Sequence, residues 1–262
     1  AMAASTAARV AVLVVALVFI SADYTPKPLD LTKLVGKRVM LVSAHPDDIE
    51  AAAGGTVKML TQQGSHVRFV IATNGDKGCS NPECVDWSSN EIAVARAKEA
   101  VAAAAVLGVN ASDVVILGYE DSDLTSVPER EVRERVVFQI RNFQPDVIMT
   151  WYGQPRFEMM PSLGWFDLGY HMDHQDIGRI TLAAHGCSHV GRIFPDAGAP
   201  WQAAEFYMWQ FQYPVLYTNI STSVDAKGAA FGQHKTQNPS EAQAAALMLG
   251  LAEKVAEGTG VE

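Results

Sequence analysis

The sequence predicts an α/β fold with a mostly parallel sheet, because short apolar runs alternate with longer helical stretches along most of its length. The predicted strands cover residues 39–42, 67–72, 114–117, 147–150 and 205–209. The predicted helices cover residues 51–63, 91–107, 129–143, 176–189 and 240–256. This alternation indicates a Rossmann-like layer order, in which helices cover both faces of the sheet.

The elements differ in the signal that predicts them. The first four strands are apolar runs with β-branched residues, typical of buried parallel strands, whereas the fifth, 205–209, is mainly aromatic. The first helix opens with Ala-Ala-Ala-Gly-Gly, the second and last are rich in alanine, and the third alternates charged and apolar residues. The fourth follows a cluster of histidine and aspartate residues.

Length and composition predict one domain, over residues 37–262. A chain of 262 residues with 48% hydrophobic and 19% charged residues can bury a single α/β core. A net charge of -9 without a basic run argues against a nucleic-acid partner. Neither the dinucleotide-binding motif G-x-G-x-x-G nor the P-loop motif G-x-x-x-x-G-K-[ST] follows the first strand. This argues against a dinucleotide- or nucleotide-binding module.

The N-terminus predicts a hydrophobic leader over residues 1–22 and a linker over residues 23–36. Arg9 precedes an apolar run, residues 10–20, that ends at the small residues Ser21 and Ala22, as in a secretory signal. The run is shorter than the about 20 residues that span a bilayer, so an anchor would need preceding alanines. We therefore expect a secreted or membrane-anchored protein. The alternatives are a cytoplasmic protein and a leader that packs on the domain.

The cysteines give a weaker indication of compartment. Cys79 and Cys84 lie five apart in a predicted loop, where a small disulfide could form, whereas Cys187 is isolated on a predicted helix. A disulfide would imply export. A second metal site at this loop would need further cysteine or histidine ligands.

A first cluster of metal-ligating residues, His45-Pro46-Asp47-Asp48-Ile49-Glu50, follows the first strand. The cluster therefore lies at the carboxyl end of a strand, where ligands bind in open parallel sheets. His45 and Asp48 could bind one ion while Asp47 points elsewhere. The alternative is an aspartate-rich N-terminal cap of the next helix.

A second cluster, His171-Met172-Asp173-His174, precedes the fourth helix. Together the two clusters predict one zinc site at the carboxyl ends of the strands, with three protein ligands and an open position for water. The spacing alone does not decide whether His171 or His174 is the third ligand.

Several motifs resemble the zinc-dependent de-N-acetylases of the PIG-L/LmbE superfamily, from about Lys37 to about Ala252. Besides the two clusters, they are Thr73-Asn74-Gly75-Asp76-Lys77-Gly78, Arg96-Ala97-Lys98-Glu99 with Leu107-Gly108-Val109, Leu117-Gly118-Tyr119-Glu120-Asp121-Ser122 and His234-Lys235-Thr236-Gln237. Two departures, Ile49 between Asp48 and Glu50 and Met172 where proline is usual, leave every ligand in place.

The resemblance implies a role for each residue of the clusters. His45, Asp48 and His174 would bind Zn²⁺, and Asp47 would be the general base that also returns a proton to the leaving amine. His171, protonated and held by Asp173, would stabilise the oxyanion.

The resemblance also implies a substrate-binding set. Arg96 and Asp121 match positions that bind sugar hydroxyls or a phosphate in relatives, and His234 would line the site from the far end of the chain. As an alternative, Arg96 could be a solvated helix residue.

The implied activity is removal of acetyl from an N-acetylglucosamine-containing small molecule, oligosaccharide or glycoside. One alternative is the same reaction on the membrane glycolipid N-acetylglucosaminyl-phosphatidylinositol. The other is a non-catalytic metal-binding protein. The sequence does not predict an oligomeric state.

Overall fold

Parallel strands form the sheet at the centre of the protein. The computed structural model describes residues 26–153, 171–209, 215–238 and 240–259. The strands are β1 (Lys27–Pro28), β2 (Arg38–Ser43), β3 (His66–Thr73), β4 (Val114–Tyr119), β5 (Val147–Trp151), β6 (Glu205–Trp209) and β7 (Leu216–Tyr217). The α-helices are α1 (Asp48–Gln62), α2 (Ser89–Leu107), α3 (Glu129–Phe143), α4 (Met172–Cys187), α5 (Val224–Phe231) and α6 (Glu241–Thr259).

The order of the strands in the sheet determines where a ligand site is expected. Five strands lie in the order β4-β3-β2-β5-β6, and every neighbouring pair is parallel. The chain moves outward from β2 to β4 and then returns to place β5 on the other side of β2. Strand order therefore reverses between β2 and β5, and a crevice outside their carboxyl ends is the expected ligand site.

Helices cover both faces of this sheet, as the sequence predicts. Alternate residues of β2 point to opposite faces. Met40 and Val42 pack in one apolar cluster with residues of α3 and α4, whereas Val39 and Leu41 pack in a second with residues of α1 and α2. The α/β class and the mostly parallel sheet are confirmed.

Three helices begin earlier than the sequence predicts, of which α2 begins at Ser89 rather than at residue 91. α1 begins at Asp48 rather than at residue 51, and α4 begins at Met172 rather than at residue 176. The polar residues at the starts of α1 and α4, which resemble loop in the sequence, therefore form the first turns of these helices. At α4 the reason is local, because the His171 side chain accepts a hydrogen bond from the backbone N–H of Asp173 and so caps the helix.

The segment predicted as a linker contacts the domain from Lys27 onward. β1 pairs in parallel with β7, which the sequence did not predict. Leu31 and Leu34 are buried in the same cluster as Leu41. The predicted leader lies outside the described residues. None of the helices in the described ranges is long and apolar enough to cross a membrane.

A disulfide joins Cys79 and Cys84 in the loop between β3 and α2, as the spacing suggested. Cys187, at the end of α4, is a free and partly buried thiol.

We predict that the first 22 residues and the next 14 contribute differently to stability. Deleting residues 1–22 should leave a cooperative unfolding transition, whereas deleting residues 1–36 should lower the free energy of unfolding by at least about 2 kcal/mol, since it removes buried Leu31 and Leu34. Urea denaturation of both truncated proteins measures the difference. Equal unfolding midpoints would show that residues 23–36 do not stabilise the domain.

Candidate metal centre

The turn between β2 and α1 separates two adjacent carboxylates. Asp47 has φ 109° and ψ -24°, a left-handed backbone conformation that is rare and costly for a residue other than glycine. Asp47 occupies the N-cap position, yet its side chain makes no capping hydrogen bond. The helix-cap alternative therefore does not explain this residue.

Asp48 points back toward the carboxyl end of the sheet. Its Oδ2 accepts hydrogen bonds from the backbone N–H groups of Ala44, at 3.0 Å, and His45, at 2.8 Å. These bonds fix the orientation of a side chain that is almost fully buried. Burial alone would raise the pKa of Asp48, but the charges and hydrogen bonds of His174 and His45 hold it well below its usual value.

Three donor groups converge at this position. His45 Nδ1 lies 3.0 Å from His174 Nε2, His174 Nε2 lies 3.1 Å from Asp48 Oδ1, and His45 Nδ1 lies 3.7 Å from Asp48 Oδ2. Donors bonded at about 2.0–2.1 Å to a tetrahedral cation lie about 3.3 Å apart. The measured separations, which involve both oxygens of Asp48, lie on either side of that value, so His45, Asp48 and His174 could bind one metal ion.

The ring of His45 is oriented by two further carboxylates. Its Nε2 lies 3.1 Å from both Asp121 Oδ1 and Asp173 Oδ2. A proton on Nε2 satisfies these acceptors and leaves the lone pair of Nδ1 for a cation, which is the usual arrangement around a metal-binding histidine. Burial opposes ionisation of Asp121, but hydrogen bonding from His45 and the charges of His45 and Arg96 lower its pKa to about 2.

Trp151, at the end of β5, completes the surroundings of the three donors, and the sequence did not identify it as a site residue. Its indole stacks on the His174 ring with centroids 3.9 Å apart and planes 7° apart. Its Nε1 donates to Asp48 Oδ2 at 3.1 Å. The one feature of the sequence that could have indicated a role for Trp151 in the site is its position at the carboxyl end of the strand beside β2.

Arg96 holds Asp47, the carboxylate that lies outside the donor set. Its guanidinium is 3% exposed and donates to Asp47 Oδ2 at 3.0 Å, to Gly75 O at 3.0 Å and to Pro46 O. The alternative of a solvated helix residue is therefore wrong. Burial raises the pKa of the Asp47 carboxyl, and the charge of Arg96 offsets part of the rise.

His171 and Asp173 are not arranged as the sequence suggested. His171 Nδ1 accepts from the backbone N–H of Asp173 at 3.2 Å, and burial, with the charges of His45 and His174, lowers the pKa of His171. The Asp173 carboxylate instead accepts from the backbone N–H groups of Ser122, at 2.8 Å, and Leu124, at 3.2 Å, and contacts His45. A protonated His171 held by that carboxylate is therefore not the arrangement observed.

A cavity of about 350 Å³ opens over the donor groups, within the usual size range for small-ligand sites. Its described lining includes Asp47, Arg96, Asp121 and His171, with an apolar part from Phe231 and Leu247. His234 does not line it. The ring of His234 is fully buried, with its Nε2 3.5 Å from Glu50 Oε2, so direct substrate contact by this residue disagrees with its position.

Comparisons with known proteins identify relatives of this chain. The profile of the GlcNAc-PI de-N-acetylase (PIG-L) family matches residues 40–185, more than half of the chain. Diacetylchitobiose deacetylase of Thermococcus kodakarensis is 29% identical over 211 residues, covering 78% of this chain and 72% of the relative. The probable N-acetyl-alpha-D-glucosaminyl L-malate deacetylase 2 of Bacillus cereus is 29% identical over 202 residues, covering 77% and 84%.

Structural similarity agrees with the sequence comparison. N,N'-diacetylchitobiose deacetylase from Pyrococcus horikoshii superposes with a TM-score of 0.67 at 26% identity, covering 78% of this chain and 71% of that one. The protein TT1542 from Thermus thermophilus shares the fold, with a TM-score of 0.59 at 23% identity.

We predict that the indole N–H of Trp151 contributes to metal binding. Trp151→Phe should weaken Zn²⁺ affinity by about 10- to 100-fold, because Asp48 loses an orienting hydrogen bond. Trp209→Phe is the matched control, since the buried Trp209 Nε1 has no hydrogen-bond partner among the described residues. Competition with a chromogenic chelator measures both affinities. Equal affinities for the two variants would contradict the role of Trp151.

Proposed function

The chain belongs to the GlcNAc-PI de-N-acetylase (PIG-L) family, and on that premise we propose that it is a zinc-dependent hydrolase of N-acetylglucosamine-containing glycans or glycosides. Its reaction removes the acetyl group and releases a free amine. The observation that carries the proposal is the separation of two neighbouring carboxylates. Asp48 faces the donor nitrogens, whereas Asp47 is turned to Arg96 and is available as a base.

Zn²⁺ is the proposed metal because a two-histidine, one-carboxylate set is a common catalytic zinc site. When bound, zinc lowers the pKa of a water molecule toward about 7 and polarises the substrate carbonyl. With zinc bound, His45 and His174 would supply neutral nitrogens, and Asp48 would supply one negative charge. Asp121 and Asp173 both contact Nε2 of His45 and orient its ring.

Asp47 is the proposed general base. Its carboxylate accepts the proton of the attacking water and then returns that proton to the leaving amine. Arg96 binds one carboxylate oxygen, Oδ2, and Asp47 lines the cavity, so the second oxygen is left for the reacting groups. A buried carboxyl with a raised pKa is better matched to this exchange than a solvated one.

His171 is the proposed donor to the oxyanion, as a neutral ring. Because Nδ1 accepts a backbone hydrogen bond, the ring proton lies on Nε2, where it can donate. This replaces the imidazolium that the sequence suggested, and the lowered pKa of His171 supports it. An imidazole N–H stabilises the developing negative charge of the oxyanion whether the ring is neutral or protonated.

The relatives support an N-acetylglucosamine conjugate as substrate, since their names include diacetylchitobiose, glucosaminyl malate and glucosaminyl inositol deacetylases. Arg96 and Asp121 line the cavity and are the proposed substrate contacts. A membrane glycolipid would fit a retained leader, and export would fit both a leader and the Cys79–Cys84 disulfide. A non-catalytic metal-binding role would leave the arrangement of Asp47 and Arg96 without a purpose.

A panel of conjugates tests the proposed reaction. Purified protein loaded with zinc should release free amine from at least one of N,N'-diacetylchitobiose, glucosaminyl malate, glucosaminyl inositol and detergent-dispersed N-acetylglucosaminyl-phosphatidylinositol, each supplied in its N-acetylated form. Preference for the dispersed lipid would support the membrane alternative. Absence of amine release from every member would contradict the proposal.

We predict that Asp47→Asn separates catalysis from metal binding. Zinc content should stay at about one per chain because the donor set is unchanged, and turnover should fall by about 10² to 10⁴-fold. The control is Asp225→Asn, an exposed aspartate on α5. Zinc and amine release are measured on the same preparation. If zinc is lost together with activity, Asp47 is a ligand; if turnover stays normal, it is not the base.

A further inference from the structure

The loop that carries the disulfide, residues 75–84, forms part of the cavity wall. Ser80 lines the cavity, and the backbone N–H groups of Ser80 and Asn81 donate to Thr236 O at 2.8 and 3.0 Å. Gln237 Nε2 donates to Gly78 O at 2.6 Å. The cross-linked loop is therefore attached by hydrogen bonds to residues 236–237, of which Gln237 also lines the cavity.

The same loop closely surrounds Arg96. Gly75 O accepts a hydrogen bond from the Arg96 Nη1 group. A Cβ atom at Gly78 would lie 1.9 Å from Arg96 Nη1, and one at Gly75 would lie 2.7 Å from it. The loop backbone thus occupies the space directly against the guanidinium, so a displaced loop would change where Arg96 places Asp47.

The loop has few apolar contacts to hold it there. Within the loop, Gly75, Asp76 and Cys84 are the buried residues, and none of residues 85–91 is buried. Segments with little buried surface open at low free-energy cost, so the covalent link and the hydrogen bonds to residues 235–237 determine its position. Because Cys79 remains partly exposed, the disulfide is accessible to reductants.

We propose that the Cys79–Cys84 disulfide is a positioning element of the catalytic site, which keeps the loop against Arg96 and through it holds Asp47 in place. This inference rests on the proposed function for its effect on turnover. It makes activity dependent on the oxidised state of the loop, whereas zinc content is independent of it.

The reduction step can be carried out with a phosphine. The phosphine attacks one sulfur and breaks the S–S bond, and water then supplies the oxygen of the phosphine oxide and the protons of two thiols. The phosphine is oxidised by two electrons and the disulfide is reduced by two.

Two readouts test the proposal on the intact chain. In Cys79→Ser/Cys84→Ser and in phosphine-reduced protein, kcat for the best panel substrate should fall about tenfold or more, with zinc content unchanged. Arg96, now 3% exposed, should react faster with phenylglyoxal, as measured by peptide mass spectrometry. Cys187→Ser, which removes the free thiol, is the control. Labelling of Arg96 and kcat both within twofold of the unmodified protein would overturn the proposal, as would faster labelling with unchanged kcat.

A second variant keeps the test independent of the cysteines. Gly78→Ala should also expose Arg96 to phenylglyoxal and lower kcat, because its Cβ would displace the guanidinium. Gly186→Ala is the control, since a Cβ there meets no atom within 4 Å. Unchanged Arg96 labelling in Gly78→Ala would contradict the role of the loop. If the unmodified protein releases no amine, the proposed function fails, and the labelling comparison alone decides the position of Arg96.

Discussion

The buried carboxylate of Asp48 is the interaction on which the rest of the site depends. It accepts from two backbone N–H groups at the end of β2 and from Trp151 at the end of β5, and it faces His174 on α4. A buried charge without partners would cost several kcal/mol, so these three elements must stay in register for Asp48 to remain ionised. The fold and the donor set therefore stabilise each other.

The same turn gives the adjacent carboxylate a different environment. The left-handed backbone of Asp47 directs its side chain to Arg96 instead of to the donor nitrogens. One carboxyl has its pKa held low by histidines, and the other has its pKa raised by burial. Two aspartates that are neighbours in sequence thus acquire the separate properties that a ligand and a base require.

The sequence predicts much of this arrangement, and its failures have physical reasons. The position of His45 and Asp48 at the end of a strand can be predicted, because short apolar runs and the spacing of metal ligands are local properties of the sequence. Trp151 could not be predicted as a site residue, because an aromatic residue at the end of a strand is equally typical of the hydrophobic core. The orientation of Asp173 toward His45 depends on the loop after β4, which brings Ser122 into contact with α4. Such long-range contacts leave no periodic signal in one sequence.

A crystal structure of the zinc-loaded protein, with anomalous diffraction recorded on both sides of the zinc absorption edge, tests most directly whether Asp48 is a ligand and Asp47 is the base. We expect one zinc peak bonded at about 2.0–2.2 Å to His45 Nδ1, His174 Nε2 and an Asp48 carboxylate oxygen, with Asp47 still paired to Arg96. A peak bonded to Asp47 would contradict the division between ligand and base, and a peak bonded to His171 in place of His174 would contradict the proposed ligand set.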